Sequence, residues 1–392
     1  MKVRGNALVA HGGGPTTVLN ASLAGIVEEC RALGAGKLLG ASGGASGILK
    51  QNFAELLEKP ASFWEQAALF PGSVLGSSRE TLVEQDFQTM LDVLRKHDIR
   101  YVFLNGGNGT MEMSLRLSEV VGRSSHEAFV IGVPKTIDND LAITDHSPGY
   151  ASAARFFGYA LRDIGLDNRA LPGITVVEIL GRNAGWLAAA TIQARQHPGD
   201  APHLIYMPEC PLAFDRLAAD VEKCIGRYGR AVIAVCEGQL DDKGEPFGAD
   251  TRASSRAPLA LNLAHVLSQR LSKALGRSAR SEKPGLLGRS CSALVSAVDR
   301  AEAFECGRAA VRAASAGITG KMITLERKPG VNYESSTGLA ELADVAVQER
   351  LFPREWLPAE PGDDMPEFRA WIEPLTGPIP SAPLLAGKYD IH

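Results

Sequence analysis

The sequence predicts an α/β protein of two lobes, each a mainly parallel sheet flanked by helices. Short apolar runs alternate with amphipathic stretches for most of its length, the pattern of strands covered on both faces. Its 392 residues are enough for two or three packed units. Several of the apolar runs also stop at glycine-rich or polar turns, where open α/β sheets bind ligands. Ala7 to Ala10 reads as a buried strand ending at Gly12-Gly13-Gly14-Pro15, followed by a helix with Leu19, Leu23, Ile26, Val27 and Cys30 on one face. Tyr101 to Leu104 is a second strand, closed by Gly106-Gly107 and followed by a helix carrying Met111, Leu115 and Val120. Phe129 to Val133 is a third, running into Pro134-Lys135-Thr136-Ile137-Asp138-Asn139-Asp140. Strands at Ile174 to Leu180, His203 to Met207 and Ala231 to Cys236 alternate with helices at Trp186 to Arg195 and Arg216 to Tyr228. A long helix is expected over Val298 to Ala316, and the proline-rich stretch from Pro353 to Pro383 reads as a surface-packed tail.

Composition excludes several classes of function. Hydrophobic residues make up 45% and charged residues 22%, with a net charge of −4, so no bulk field favours nucleic acid or an anionic membrane. A polyanionic ligand must therefore be held by a local cluster of basic groups. The six cysteines (Cys30, Cys210, Cys224, Cys236, Cys291 and Cys306) form no C-x-x-C pair. That argues against a structural zinc or a disulfide framework. The run from Met1 to Ala10 is neither a signal peptide nor long enough to span a bilayer, so a cytoplasmic address is expected.

Two turns carry the chemistry. Gly106-Gly107-Asn108-Gly109-Thr110 puts small residues where a strand becomes a helix, so backbone N–H groups can approach a phosphate closely. A tight strand–helix turn alone would explain the glycines equally well. The string is neither a dinucleotide fingerprint nor a Walker A loop; Gly317-Ile318-Thr319-Gly320-Lys321 has the wrong glycine spacing for the latter. Pro134 to Asp140 is more specific. It sets Asp138 and Asp140 beside Lys135 and Thr136 at a strand end. One carboxylate can take a proton from an attacking hydroxyl while the lysine offsets phosphate charge. A merely solvated acidic turn would leave Lys135 and Thr136 unexplained.

The string PKTIDND (134–140) resembles the catalytic signature of the phosphofructokinase family, in the lysine-bearing form of its pyrophosphate users. Around it stand GGPTTVLNASLAG (13–25), LGSSRE (75–80), GGNGT (106–110), EILGRNAGW (178–186), VCEG (235–238) and RSCSALVSAVD (289–299), in the family's order over about residues 5–325. The resemblance implies two Rossmann-like lobes with the active site in the cleft between them. It also implies Mg²⁺ as cofactor, pyrophosphate or ATP and a sugar or sugar phosphate as partners, and a homo-oligomer. Asp138 would be the base, with Lys135 and Asp140 as further catalytic residues. Gly13, Gly14, Arg79, Gly107, Asn108, Gly109, Thr110 and Lys135 would bind the donor. Thr136, Asp138, Gly181, Arg182, Glu237, Arg280 and Arg289 would bind the acceptor. The donor lobe is expected over 1–149 with about 288–335, the acceptor lobe over 150–287 with about 336–392.

Departures from the family pattern bear on metal, donor and acceptor. Asn108 stands where ATP-using relatives carry a metal-associated aspartate and is the candidate metal ligand here; because an amide is a weaker ligand for a hard cation, Mg²⁺ would lean on donor oxygens, water and Asp138 or Asp140. Gly109 removes a carboxylate thought to obstruct ATP, whereas Lys135 points to pyrophosphate. Gly173 and Leu286 stand where the family commonly has an arginine and a histidine or tyrosine on the acceptor's 6-phosphate. The expected function is transfer of phosphate from pyrophosphate to a primary hydroxyl of a sugar phosphate, fructose 6-phosphate by default. One alternative is a kinase of another ketose phosphate or of an unphosphorylated sugar or polyol. The other is a weakly catalytic relative that binds ligands and regulates a partner.

Overall fold

The computed structural model describes residues 5–247, 262–346 and 348–383. The chain divides into two compact units: Met1–Ala151 with Arg289–Arg350, and Ser152–Gly288 with Leu351–His392.

Unit 1 is built on seven strands: β1 (Asn6–His11), β2 (Leu38–Ala41), β3 (Phe53–Glu55), β4 (Ile99–Gly106), β5 (Phe129–Pro134), β10 (Lys321–Arg327) and β11 (Ser335–Glu341). Their order is β11-β10-β5-β4-β1-β2-β3, parallel throughout except for the outermost pairs β10–β11 and β2–β3. Helices α1 (Leu19–Leu33), α2 (Gly44–Leu49), α3 (Ala61–Ala67), α4 (Glu84–Lys96), α5 (Asn108–Gly122), α10 (Ala297–Ser315) and α11 (Leu342–Val345) cover it. Alternate residues of β1 feed opposite cores. Ala7 and Val9 pack with α1 and α10, while Leu8 and Ala10 pack with α4 and α5. Strands buried on both faces read as continuous apolar runs, which is why β1, β4 and β5 are visible in the sequence.

The second segment of unit 1 extends to Arg350 rather than stopping near 335. Strand β11 pairs residue for residue with β10, from Lys321↔Glu341 to Arg327↔Ser335, and so stays with that sheet. In the other direction from β5, β1 lies beside both β2 and β4. The sheet's switch point falls between β1 and β4, so the Gly12–Gly14 and Gly106–Thr110 turns flank the crevice where such sheets bind ligands.

Unit 2 has a four-stranded parallel sheet, β7-β8-β6-β9, made of β6 (Ile174–Ile179), β7 (Leu204–Tyr206), β8 (Ala231–Cys236) and β9 (Ala279–Glu282). It carries α6 (Tyr150–Ala170), α7 (Trp186–Ala190), α8 (Phe214–Tyr228), α9 (Leu263–Leu275) and α12 (Pro366–Thr376). The C-terminal stretch is not a surface tail. Phe368, Ile372 and Leu375 keep helical spacing within the prolines and are fully buried. Phe368 lies 5.0 Å from the Phe352 ring, 5.9 Å from Trp356 and 6.3 Å from Trp186. Pro366 occupies the first turn of α12, where a missing N–H costs nothing. Among the described residues no helix is long and apolar enough to cross a membrane.

Phe368→Ala should open a cavity in this aromatic cluster and destabilise the protein by about 3–5 kcal/mol. Denaturant unfolding followed by tryptophan fluorescence measures the loss directly.

Candidate functional site

In unit 1, three strand ends are stitched together by one residue. Lys135 is 3% exposed, and its Nζ donates to the carbonyls of Gly12 (2.9 Å) and Gly14 (2.7 Å). Its own backbone N–H donates to the carbonyl of Gly106 (3.1 Å). Burial lowers its pKa to about 8; Asp138 opposes that shift, while the positive charges of Arg79 and Arg289 reinforce it. Gly13 is in the left-handed region (φ 77°), which suits a residue without Cβ. Its N–H donates to the Ser78 carbonyl (2.9 Å), and Ser77 Oγ donates back to its carbonyl (2.7 Å). These bonds bring the loop bearing Arg79 to the end of β1. A Cβ at Gly14 would run into Arg289 Nη1 and lie 3.0 Å from Arg79 Nη2, so both guanidinium groups close over this glycine.

The second turn packs against the first. A Cβ at either Gly12 or Gly106 would collide with Thr110 Oγ1, which fills the space between the two turns. Helix α5 begins at Asn108, and a Cβ at Gly109 would meet nothing within 4 Å. Asn108 Nδ2 donates to Asp140 Oδ2 (2.9 Å), and the Thr136 side chain also bonds the Asp140 carboxylate; among the described residues Asn108 Oδ1 and Asp140 Oδ1 are buried with no hydrogen-bond partner. Burial and the charge of Glu349 hold the Asp140 carboxyl above its usual range, and the Asn108 amide opposes them. The Asp138 N–H donates to Thr136 Oγ1 (3.1 Å). The lysine–aspartate segment is strained: Asn139 (φ 54°) and Ile143 (φ 60°) are both left-handed. For a β-branched residue such as Ile143 this costs on the order of 1–3 kcal/mol.

His11, the last residue of β1, was not singled out in the sequence. Its Nδ1 meets Ser73 Oγ (2.7 Å), whose own hydrogen goes to the Gly76 carbonyl (2.7 Å). His11 must therefore donate from Nδ1 and stay neutral at Nε2. Burial, then the charge of Lys135, lowers its pKa to about 3.

In unit 2, Gly181, Arg182 and Glu237 meet at the carboxyl ends of β6 and β8. The Gly181 N–H donates to Glu237 Oε1 (3.3 Å), and the Gly238 N–H donates to the Gly181 carbonyl (3.1 Å). Gly238 has room for no side chain, because a Cβ would strike the Arg182 carbonyl. Burial and the neighbouring Glu178 raise the Glu237 pKa, against Lys283 and Arg182. Lys283 Nζ lies 2.6 Å from the buried Glu178 Oε1. Lys283 was missed in the sequence, where only its neighbours fit a pattern. Arg280 is not brought to this group. It pairs in register with Thr175 near the start of β6, is largely exposed, and stands 4.0 Å from Asp167. Leu286 is exposed, and a Cβ at Gly173 would enter open space. Arg289, expected with the acceptor residues, belongs to unit 1 and stands beside Gly14 and Lys135.

Residues 6–314 match the family described as Phosphofructokinase. The chain belongs to the phosphofructokinase family. It is accordingly a phosphotransferase with an alcohol group as acceptor. A pyrophosphate–fructose 6-phosphate 1-phosphotransferase of Rhodospirillum rubrum is 36% identical over 386 residues, covering 95% of each chain. A solved pyrophosphate-dependent phosphofructokinase from Nitrosospira multiformis superposes with a TM-score of 0.87 at 27% identity, over 99% of this chain and 96% of that one. A sulfofructose kinase of Alkalicoccus urumqiensis is 27% identical over 98% of this chain and 99% of its own.

Gly14→Ala should displace the two guanidinium groups without unfolding the protein, because the obstructing atoms are the ends of flexible side chains. The expected result is a donor KM raised about tenfold or more with little change in Tm, read by steady-state kinetics and a thermal melt.

Proposed function

We propose that this protein transfers a phosphoryl group from pyrophosphate to a primary hydroxyl of a sugar phosphate, fructose 6-phosphate by default. The observation that carries the proposal is the Lys135 ammonium fixed across the Gly12–Gly14 turn, with Arg79 and Arg289 closing over Gly14. Three cations around one turn suit a compact polyanion, and two of the ammonium's three protons are already spent on carbonyls. The R. rubrum relative, named for pyrophosphate and fructose 6-phosphate, supports the same donor. Gly109, open to solvent, would tolerate a nucleotide but supplies nothing to hold one.

In this reading Asp138 takes the proton from the acceptor hydroxyl as its oxygen bonds to the transferred phosphorus. The bridging P–O bond breaks, and phosphate leaves against Lys135, Arg79 and Arg289. Such transfer needs positioning and charge compensation more than covalent chemistry. Arg182 and Glu237 are proposed to bind the acceptor.

Mg²⁺ is the proposed cofactor. Among the described residues no three His, Cys, Asp or Glu side chains form a metal cluster. The two unpartnered oxygens, Asn108 Oδ1 and Asp140 Oδ1, nonetheless fit a cation that takes few protein ligands and keeps phosphate oxygens and water. Bound there, Mg²⁺ would neutralise diphosphate charge.

A second reading changes the acceptor. Gly173 leaves open space and the Leu286 side chain is apolar, so neither side chain supplies the contact to a 6-phosphate that the family commonly has at these positions. The sulfofructose kinase relative supports a ketose whose far end bears another acid, such as a sulfonate.

Two measurements test these readings. Asp138→Asn should cut kcat by about 10²–10⁴ while donor binding stays nearly intact. Retention of more than about a tenth of wild-type kcat would remove Asp138 from the mechanism. A matrix of pyrophosphate and ATP against sugars, sugar phosphates and a sugar sulfonate then assigns donor and acceptor. A kcat/KM for fructose 6-phosphate of about 10⁵ M⁻¹s⁻¹ or higher with pyrophosphate sinks the altered-acceptor reading; a much lower value beside a better acceptor supports it.

A further inference from the structure

The segment from Thr136 to Gly149 carries Asp138 and Asp140 together with the left-handed Asn139 and Ile143. Strain of this kind persists only where the surroundings over-determine the backbone. Here they do. Asn139 Oδ1 accepts from the Ser147 N–H (3.0 Å), and Asp299 Oδ1 accepts from the Gly149 N–H (2.7 Å). The Arg350 N–H donates to the Asp140 carbonyl (2.8 Å), and Arg350 Nη1 donates to the carbonyls of Thr144 (3.0 Å) and Asp145.

The centre of this frame is His146, which has no solvent exposure. Its Nδ1 lies 2.9 Å from Asp145 Oδ2 and its Nε2 2.7 Å from Glu302 Oε2. Ionised carboxylates only accept, so both ring nitrogens donate and the ring is an imidazolium. Each carboxylate is gripped from behind. Arg327 reaches both oxygens of Asp145 at 3.2 Å. Tyr333 and Ser335 (2.6 Å) donate to the other oxygen of Glu302. Asp145 on its own segment and Glu302 on α10 face the ring directly. Behind them stand Arg327 on β10, Tyr333 before β11 and Ser335 on β11, while Asp299 on α10 and Arg350 after α11 hold the segment's backbone.

We propose that His146, clamped as a cation between Asp145 and Glu302, is the positioning residue that holds the strained 136–149 segment and so sets Asp138 for proton transfer. The proposal rests on the reading of Asp138 as the base. Burial pulls the imidazole pKa down, but the two carboxylates outweigh it and raise it to about 9, so the clamp stays charged at neutral pH.

The test uses whichever donor–acceptor pair the unmodified enzyme turns over, so an error about the substrates leaves it intact. His146→Gln should lower kcat per folded molecule about tenfold or more, with KM for the donor within about threefold. Ile143→Gly relieves the strain at an exposed position outside the machinery, and it should restore part of the kcat lost in the His146→Gln background. Wild-type kcat in His146→Gln, an equal loss through KM, or no rescue by Ile143→Gly would each overturn the proposal. If His146→Gln does not fold, ¹⁵N-histidine spectra of the unmodified protein decide. One solvent-protected imidazole must remain protonated to about pH 9. A spectrum in which every buried imidazole is neutral by pH 7 would overturn the clamp.

Discussion

The proposed donor site depends on one ammonium in an unfavourable place. Lys135 is buried, faces Arg79 and Arg289, and is kept there by the carbonyls of Gly12 and Gly14. In water such a side chain would hold its proton far more firmly than the pKa of about 8 found here. Burial is the main cause of that shift, with Asp138 opposing it and the two arginines adding to it. The proposed diphosphate would find three cations already gathered at the turn. The glycines have a steric reason of their own. Side chains at 12, 14 and 106 would occupy space already taken by Thr110 and the two guanidinium groups.

Much of this was legible in the sequence, for identifiable reasons. Strands β1, β4 and β5 are buried on both faces and stop at glycine or polar turns, so their apolar runs mark both strand and site. The family motifs then supplied roles that periodicity could not. Strands β2, β3, β9, β10 and β11 were not legible. Three of them, β3, β9 and β11, lie at sheet edges, and Ala279–Glu282 and Ser335–Glu341 contain too little apolar character to stand out, while the four-residue β2 and the charged ends of β10 hide strands inside the sheet. Helix α12 was hidden by composition, since prolines at 366 and 374 mask the spacing of Phe368, Ile372 and Leu375. Spacing could group Arg289 with a motif, but only the three-dimensional path of the chain shows it beside Gly14.

The frame around the aspartates was equally invisible, because it is assembled from four distant stretches. Asp145 and His146 follow the motif directly, but Glu302 and Asp299 lie on α10, Arg327 on β10 and Arg350 beyond α11. Each of those residues alone reads as an ordinary surface charge on a helix or strand. Burial turns them into a network in which Asp145, His146, Glu302 and Arg327 pair with opposite charges while Asp299 and Arg350 hold backbone groups, the condition under which buried ions are tolerated. A positive φ at Ile143 has no signature in sequence at all, since isoleucine is among the residues least suited to it.

The split composition of unit 1 has a consequence for how the chain reaches this state. Strand β10 pairs with β5 through Lys321↔Ile131 and Met322↔Gly132, and α10 covers the face that α1 shares. During synthesis the first segment emerges with β5 as an unpaired parallel edge and with Leu23, Ile26 and Val27 lacking their α10 neighbours. The intervening segment can order its own four strands in the meantime, since β6 to β9 are contiguous in sequence. The segment at 134–140 is thus made early but secured late, when Glu302 and Arg350 arrive. The segment proposed to carry the base is made first, and the residues that hold it rigid follow only after the whole of the intervening segment.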